Sequence, residues 1–232
     1  MTVILDHAPA TYPGPPKLDR EQLRRAQQDT LDTPRMKYSL LAKMMFKPVD
    51  VLYGEQGSFT KFAMLEIIAR VPYQAWERMG YWAVHRFRTR SELARRVHER
   101  IVEARSDQDN EQFHLLIMED LIDRQGLRRN WLLHRAAPWL IAFFYYHVSW
   151  ALFLVHPKAS YRLNAEFEDH AEHSYMTFVA ENPDLDFVPD PGTYAAEYGR
   201  YRSVADLLRQ IGHDERVHKL DSLETMREPR IR

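Results

Sequence analysis

Two segments of this chain place an acid and an imidazole three residues apart within an apolar, helix-periodic pattern. They are Glu111-Gln112-Phe113-His114 and Glu215-Arg216-Val217-His218. On a helix such a pair projects from one face. Around the first pair, Ala104, Leu115, Met118, Leu121 and Ile122 are expected to share that face. Around the second, Leu207, Leu208 and Ile211 fall on the side of Glu215. Burying an unpaired carboxylate and imidazole in an apolar layer costs several kcal/mol, so each pair needs compensation. For one Glu-x-x-His alone, a solvated pair is the better reading. The rest of the chain decides between that reading and a metal site.

Two further acids are misfits of the same kind. Glu66 is the only acid within Phe62–Ala69, and taken alone it could pair with Lys61 or Arg70. Glu168 shares a helical stripe with Tyr161, Ala165, Ala171 and Tyr175. Its neighbours Glu166, Asp169 and Glu172 fall on other faces, where they are expected to be solvated or to stand behind the ligands. Four long apolar helices thus carry, in order, Glu66, Glu111 with His114, Glu168, and Glu215 with His218. One Glu from each of two helices and a Glu-x-x-His from each of two others is the ligand pattern of ferritin-like carboxylate bundles holding two metal ions. Four carboxylates offset the charge of two divalent ions, two of them can bridge, and positions remain open for dioxygen.

Composition agrees with an all-α fold. The 232 residues include only 8 glycines, 45% hydrophobic residues and 12% aromatics. The length suits one large domain. With a net charge of -1 and no zinc-finger or strand-rich RNA-binding pattern, nothing calls for nucleic acid. There is no cysteine, which excludes disulfides, thiolate metal sites and cysteine nucleophiles.

In chain order, residues 1–17 are proline-rich and expected to form a flexible or extended arm, with no secretory-signal pattern. Residues 18–31 read as a short polar peripheral helix, so that 1–34 forms an N-terminal appendage to a single domain over 35–226. A helix over about 36–47 places Met36, Leu40, Leu41, Met44 and Met45 on one face, and Pro48 is expected to bend or end it. It suits a membrane interface and an ordinary packed helix equally. Ser58 to about Arg88 forms the Glu66 helix, with a kink expected at Pro72. An arginine-rich stretch then enters the Glu111 helix, which ends near Gly126. Pro138–Val155 is the most apolar stretch, flanked upstream by Arg124, Arg128, Arg129 and Arg135. It is short for a span and best suits a helix lying in one leaflet, with Trp131, Trp139 and Trp150 at the headgroups. Residues 182–202 form the longest loop, whose Tyr194, Tyr198 and Tyr201 are expected to pack rather than to do chemistry. The last helix runs from about Ser203 to Met226, and residues 227–232 are expected to be a disordered tail.

Together, Leu65-Glu66, Asn110-Glu111-x-x-His114-Leu115, Glu168 with Tyr175 seven residues on, and Asp214-Glu215-x-x-His218 resemble the alternative oxidase family of membrane-bound di-iron quinol oxidases. The segments at 69–73 and 114–121 are most similar to the plastid terminal oxidase branch and its bacterial and cyanobacterial relatives. The resemblance covers about Ser58 to Lys219. It implies a four-helix di-iron bundle with two helices, 36–47 and 138–155, dipping into one leaflet of a bacterial cytoplasmic or thylakoid-type membrane. It implies two iron ions held by Glu66, Glu111, His114, Glu168, Glu215 and His218. Asn110 and Asp214 are implied to hold ligand geometry, and Tyr175 to be the redox-active tyrosine beside the metals. The family's quinol pocket falls on Lys61, Leu65, His170, Ala171 and Ser174. Lys61 stands where the family usually has arginine, His170 where the mitochondrial type has glutamate, and Gly212 where a basic residue often precedes the last motif. A homodimer is implied as well.

The activity so implied is oxidation of quinol by dioxygen to give water, without proton pumping. Two other activities suit the same ligands: a di-iron monooxygenase or desaturase acting on a membrane-dissolved lipid, isoprenoid or quinone precursor, and ferritin-like iron storage. The apolar 138–155 helix argues against a soluble storage shell. Isotopically labelled oxygen separates the first two.

Overall fold

The computed structural model describes residues 14–229 and is built of helices. Seven α-helices follow one another: α1 (Arg20–Asp32), α2 (Leu40–Tyr53), α3 (Phe59–Phe87), α4 (Ser91–Arg124), α5 (Ala137–Val155), α6 (Pro157–Glu181) and α7 (Val204–Thr225). A π-helical turn, Leu132–Ala136, leads into α5, and a 3-10 turn, Pro183–Asp186, follows α6. Among the described residues there is no β-strand, only an isolated bridge between Pro189 and Ser203.

Local chemistry sets most of the helix starts. Ser39, Ser58 and Ser203 each accept a backbone N–H of the first turn, and Asp19 forms a reciprocal capping box with Gln22. His156 does the same for α6, its Nδ1 accepting from Ala159 N at 3.1 Å, while Pro157 occupies the first turn. Pro72 lies inside α3, which continues through it.

Helices α3, α4, α6 and α7 form the bundle, with α3 and α4 joined by residues 88–90 and α6 packed along α7. Phe62, Met64, Ile68, Met118, Ile122, Tyr175 and Leu208 are its fully buried apolar side chains around the centre. Truncating a buried aliphatic residue of this kind costs about 2–5 kcal/mol. Of the five residues expected beside Glu111 and His114, Ala104, Met118, Leu121 and Ile122 are buried and Leu115 is half-buried. Gly212 answers to a close approach of α6 and α7. A Cβ there would sit 3.2 Å from Cβ of Tyr175 and 3.0 Å from the end of Met176.

Several sequence expectations are corrected. The helix expected over 36–47 is Leu40–Tyr53, and it runs through Pro48. Buried Phe46 and Val49 hold its second half, and Lys61 binds its C-terminal end. Met36–Tyr38 are not helical because Asp169 holds them, accepting from Met36 N and Tyr38 Oη at 2.9 Å each. Residues 1–13 of the arm lie outside the described residues, and its end is tied down. Pro16 O accepts from Gln210 Nε2, and Lys17 Nζ lies 3.2 Å from Asp214. Helix α1 packs on α7 and α6, with Leu23, Ala26, Gln27 and Thr30 buried. Arg227 and Glu228 continue a hydrogen-bonded turn after α7, and residues 230–232 of the expected tail lie outside the described residues.

Helix α5 exposes its apolar surface. Trp139, Phe144 and Val155 are 65%, 64% and 78% exposed, and only 17% of its most apolar window is buried. On α2, Leu40, Met44 and Val51 are exposed too. Among the described residues, the helical run Leu132–Val155 is the one long and apolar enough to cross a membrane.

Candidate metal centre

The six side chains singled out by spacing converge at the middle of the bundle, and all are at most 1% exposed. They form two overlapping groups. Glu66, Glu111, His114 and Glu215 make one, and Glu111, Glu168, Glu215 and His218 the other, each with ligand atoms within 4.8 Å of one another. Glu111 and Glu215 belong to both. His114 turns Nδ1 toward Glu215 (3.1 Å), Glu66 (3.4 Å) and Glu111 (3.5 Å). His218 turns Nδ1 toward Glu111 at 2.7 Å.

Within the protein, this cluster is unsatisfied. Glu66 Oε2, Glu168 Oε2, both oxygens of Glu111 and of Glu215, and Nδ1 of each histidine are buried without a hydrogen-bond partner. Native interiors hold few such atoms, so eight converging on one point mark a missing positive ligand. The nitrogen and oxygen donor set fits two divalent transition-metal ions, whose four positive charges the four carboxylates would balance. Electrostatics agree. Burial pushes Glu66 up to about 8, although nearby His114 opposes it. Burial and the neighbouring Glu111 charge push Glu168 up to about 7. Burial would also raise Glu111, but the close His114 and His218 rings bring it below the usual carboxylate range. His218 is raised to about 10 against the effect of burial, chiefly by its contact with Glu111. Without metal, the pocket is therefore a reservoir of protons that a cation would displace.

Behind the ligands the two sides differ. His114 points Nε2 at Asp214 Oδ2 (3.3 Å) and Tyr198 Oη (3.2 Å). Tyr198 donates to the same Asp214 oxygen at 2.6 Å, Gln210 Nε2 donates to Asp214 Oδ1 at 2.6 Å, and Asn110 Nδ2 lies 3.4 Å from Asp214 Oδ2. His218 points Nε2 at Asp107, 3.8 Å away. Each lone glutamate receives a tyrosine from the opposite helix: Tyr175 of α6 donates to Glu66, and Tyr73 of α3 donates to Glu168 at 2.8 Å. Phe62 stacks on Tyr175 with ring centroids 4.1 Å apart, fixing its orientation.

Tyr73, Asp107, Tyr198 and Gln210 were not anticipated from sequence. Tyr73 had a signal, since it stands seven residues after Glu66 as Tyr175 stands after Glu168. Asp107 also had one, lying four residues before Glu111 on the same face. Tyr198 had none. It sits in an irregular loop, where besides packing it bonds Asp214. Glu166, Asp169 and Glu172 are buried, not solvated. Glu166 binds Ser39 and Arg162; Asp169 binds Lys219; and Glu172 binds Thr30, Arg216 and Lys219. These bonds tie α6 to α7 and to the segment before α2.

At the expected quinol pocket, the Lys61 amine and the Ser174 hydroxyl are already bonded. Lys61 is 3% exposed, and its amine donates to Asp50 (2.7 Å), Gly54 O (2.8 Å) and Glu55 O (3.0 Å), which exhausts three donors. Ser174 donates to His170 O at 2.6 Å, and the His170 ring stacks under Phe46 at 4.3 Å. Leu65 and Ala171 are buried beside them.

A helical bundle in which two carboxylate-histidine groups share two glutamates has the ligand arrangement of the dinuclear carboxylate bundles. More particularly, a model of the alternative oxidase family matches residues 18–224, and the chain belongs to that family. It is 31% identical to ubiquinol oxidase 4, chloroplastic/chromoplastic, of Arabidopsis thaliana over 159 residues, covering 65% of this chain and 40% of that relative. No solved structure matches the chain.

Proposed function

We propose that the chain is a membrane-associated quinol oxidase that holds two iron ions and reduces dioxygen to water. The observation that carries this reading is the pair of four-residue ligand groups sharing Glu111 and Glu215. Glu66 and His114 would complete one iron site, and Glu168 and His218 the other, with Glu111 and Glu215 available to both. When bound, the iron pair supplies electron storage and dioxygen reduction. The overall balance is two quinols and one dioxygen giving two quinones and two waters.

The chain's own residues supply the rest. Tyr175 keeps its O–H on Glu66, so the phenol can give up an electron while its proton passes to that carboxylate. Asp214 and Tyr198 hold the His114 ring from behind and keep its Nδ1 toward the carboxylates. The apolar packing of Phe62, Met118 and Leu208 keeps bulk water from the centre. The exposed apolar faces of α2 and α5, with Arg124, Arg128, Arg129 and Arg135 nearby, support seating in one leaflet, where quinol is dissolved. The reading includes a homodimer, no proton pumping and release of the reaction's free energy as heat.

The test is oxygen uptake by purified, iron-loaded protein given a panel of quinols, with metal content measured on the same sample. Label from isotopic dioxygen is expected in water. Label in an organic product would replace this reading with the monooxygenase one.

A further inference from the structure

Each ligand histidine has a buried aspartate behind it, and the two aspartates are held differently. Asp214 faces Nε2 of His114 at 3.3 Å. Its Oδ2 also accepts from the Tyr198 hydroxyl at 2.6 Å and from the Lys17 amine at 3.2 Å. The Lys17 side chain is 42% exposed and that of Asp214 0%. Gln210 fixes the backbone on either side of Lys17, donating to Pro16 O at 3.1 Å and accepting from Leu18 N at 2.9 Å. The same amide donates to Asp214 Oδ1 at 2.6 Å. The Lys17 amine lies 3.8 Å from the centroid of the Tyr198 ring, so the tyrosine that donates to Asp214 also seats the cation on its π face. Gln210 and Tyr198 together therefore hold the backbone, the ammonium and the carboxylate in one arrangement. An exposed ion pair without such support contributes little. Here the anion is fully buried, where a charge is screened much less.

The His218 side lacks this arrangement. Asp107 stands 3.8 Å from Nε2 of His218, and its Oδ1 is buried without a hydrogen-bond partner. It borders a cleft of about 390 Å³ between α3, α4, the end of α5 and the beginning of α6. Arg100 lines the same cleft, but its guanidinium donates to Glu103 at 3.1 Å and to Thr225 Oγ1 at 2.9 Å. The two ligand groups are matched in type, each with three glutamates and one histidine. What distinguishes them electrically is the cation seated behind His114.

We infer that Lys17 is a positioning residue that makes the His114 half of the metal centre the more readily reduced one, acting through Asp214. A carboxylate that accepts the Nε2–H of a ligand histidine makes the ring a stronger donor to its metal. A stronger donor favours the more highly charged, oxidised ion. A cation held on that carboxylate draws the charge back and favours the reduced ion. The metal position beside Glu66 and His114 would then differ in potential from the one beside Glu168 and His218, although their ligands are alike. The inference rests on the two-iron part of the proposed function and does not depend on how the quinol is bound.

The test is a potentiometric titration of the iron-loaded full chain, with Mössbauer spectra counting oxidised and reduced iron at each poised potential. Lys17→Met keeps the length of the side chain and removes its charge. At a fixed potential it is expected to lower the ratio of reduced to oxidised iron at one of the two positions by about tenfold, the order expected of one partly screened charge. For one electron that is a fall of about 60 mV. Lys17→Arg is expected to restore the native ratio. Both variants are expected to keep two irons, because every ligand and Asp214 remain. An unchanged ratio in Lys17→Met, or an equal shift at both positions, would overturn the inference and leave the two-iron reading standing. Loss of iron from Lys17→Met would make Lys17 a structural tie and overturn it as well. A native chain that takes up fewer than two irons would overturn both.

Discussion

The two halves of the metal centre are alike in their ligands and unlike in what stands behind them. Behind His114, Asp214 is fully buried and gathers Tyr198, Gln210, Asn110 and Lys17. Burial would raise its carboxyl, but the His114 bond and the Lys17 charge bring it down to about 2, so it stays ionised. Behind His218, Asp107 has an unpartnered oxygen, and burial pushes its carboxyl up to about 8. One half is closed by a hydrogen-bonded network reaching from the N-terminal segment to the 182–202 loop. The other faces a cleft.

Breaking both halves at once has the largest effect. Glu111→Ala removes a carboxylate common to the two ligand groups, so metal analysis is expected to find no iron and oxygen uptake is expected to vanish. Tyr175→Phe comes next: iron content should remain and turnover should be lost. Normal turnover in that variant would remove the redox role of the phenol. Asp214→Ala then distinguishes the halves. It should weaken metal binding by about 10–100-fold, the usual cost of losing a group that orients a ligand histidine. Asp107→Ala should cost less in a metal titration, because its carboxylate stands 3.8 Å from His218. Equal losses for the two would erase the distinction drawn here.

The smallest effect is on the pH dependence of the metal-free protein. Glu66 (about 8), Glu168 (about 7), Asp107 (about 8) and His218 (about 10) are all raised above their ordinary values. The folded metal-free chain therefore binds more protons than the unfolded chain between about pH 4.5 and 10, and its stability falls as pH rises through that window. Thermal melts are expected to give a lower Tm at pH 9 than at pH 6. Added divalent metal should remove most of the difference, since it takes the place of the protons.

How far the sequence could be read followed the range of the interactions. Glu111 with His114 and Glu215 with His218 were legible because i,i+3 spacing is a local property of a helix. Glu66 and Glu168 were legible because a lone acid in an apolar stripe is conspicuous. Helix ends near Ser58, His156-Pro157 and Gly126 were legible from capping and breaking chemistry. The α2 boundaries were not, since the half of the helix around Pro48 is held by the burial of Phe46 and Val49 and by Lys61 of α3. The buried state of Glu166, Asp169 and Glu172 depended on α1, α7 and the segment before α2 covering faces that helical periodicity alone leaves open.

By itself, then, the sequence determined most of the helices, the six candidate ligand side chains and the apolar α5, because each follows from spacing along one helix. Only the tertiary structure decided which glutamates are shared by the two groups, that Tyr198 and Lys17 close the His114 side, and that the His218 side is left with Asp107 at the floor of a cleft. Those features join residues as far apart as 17 and 214. Nothing in local periodicity encodes such a pairing, which exists only once the helices have packed.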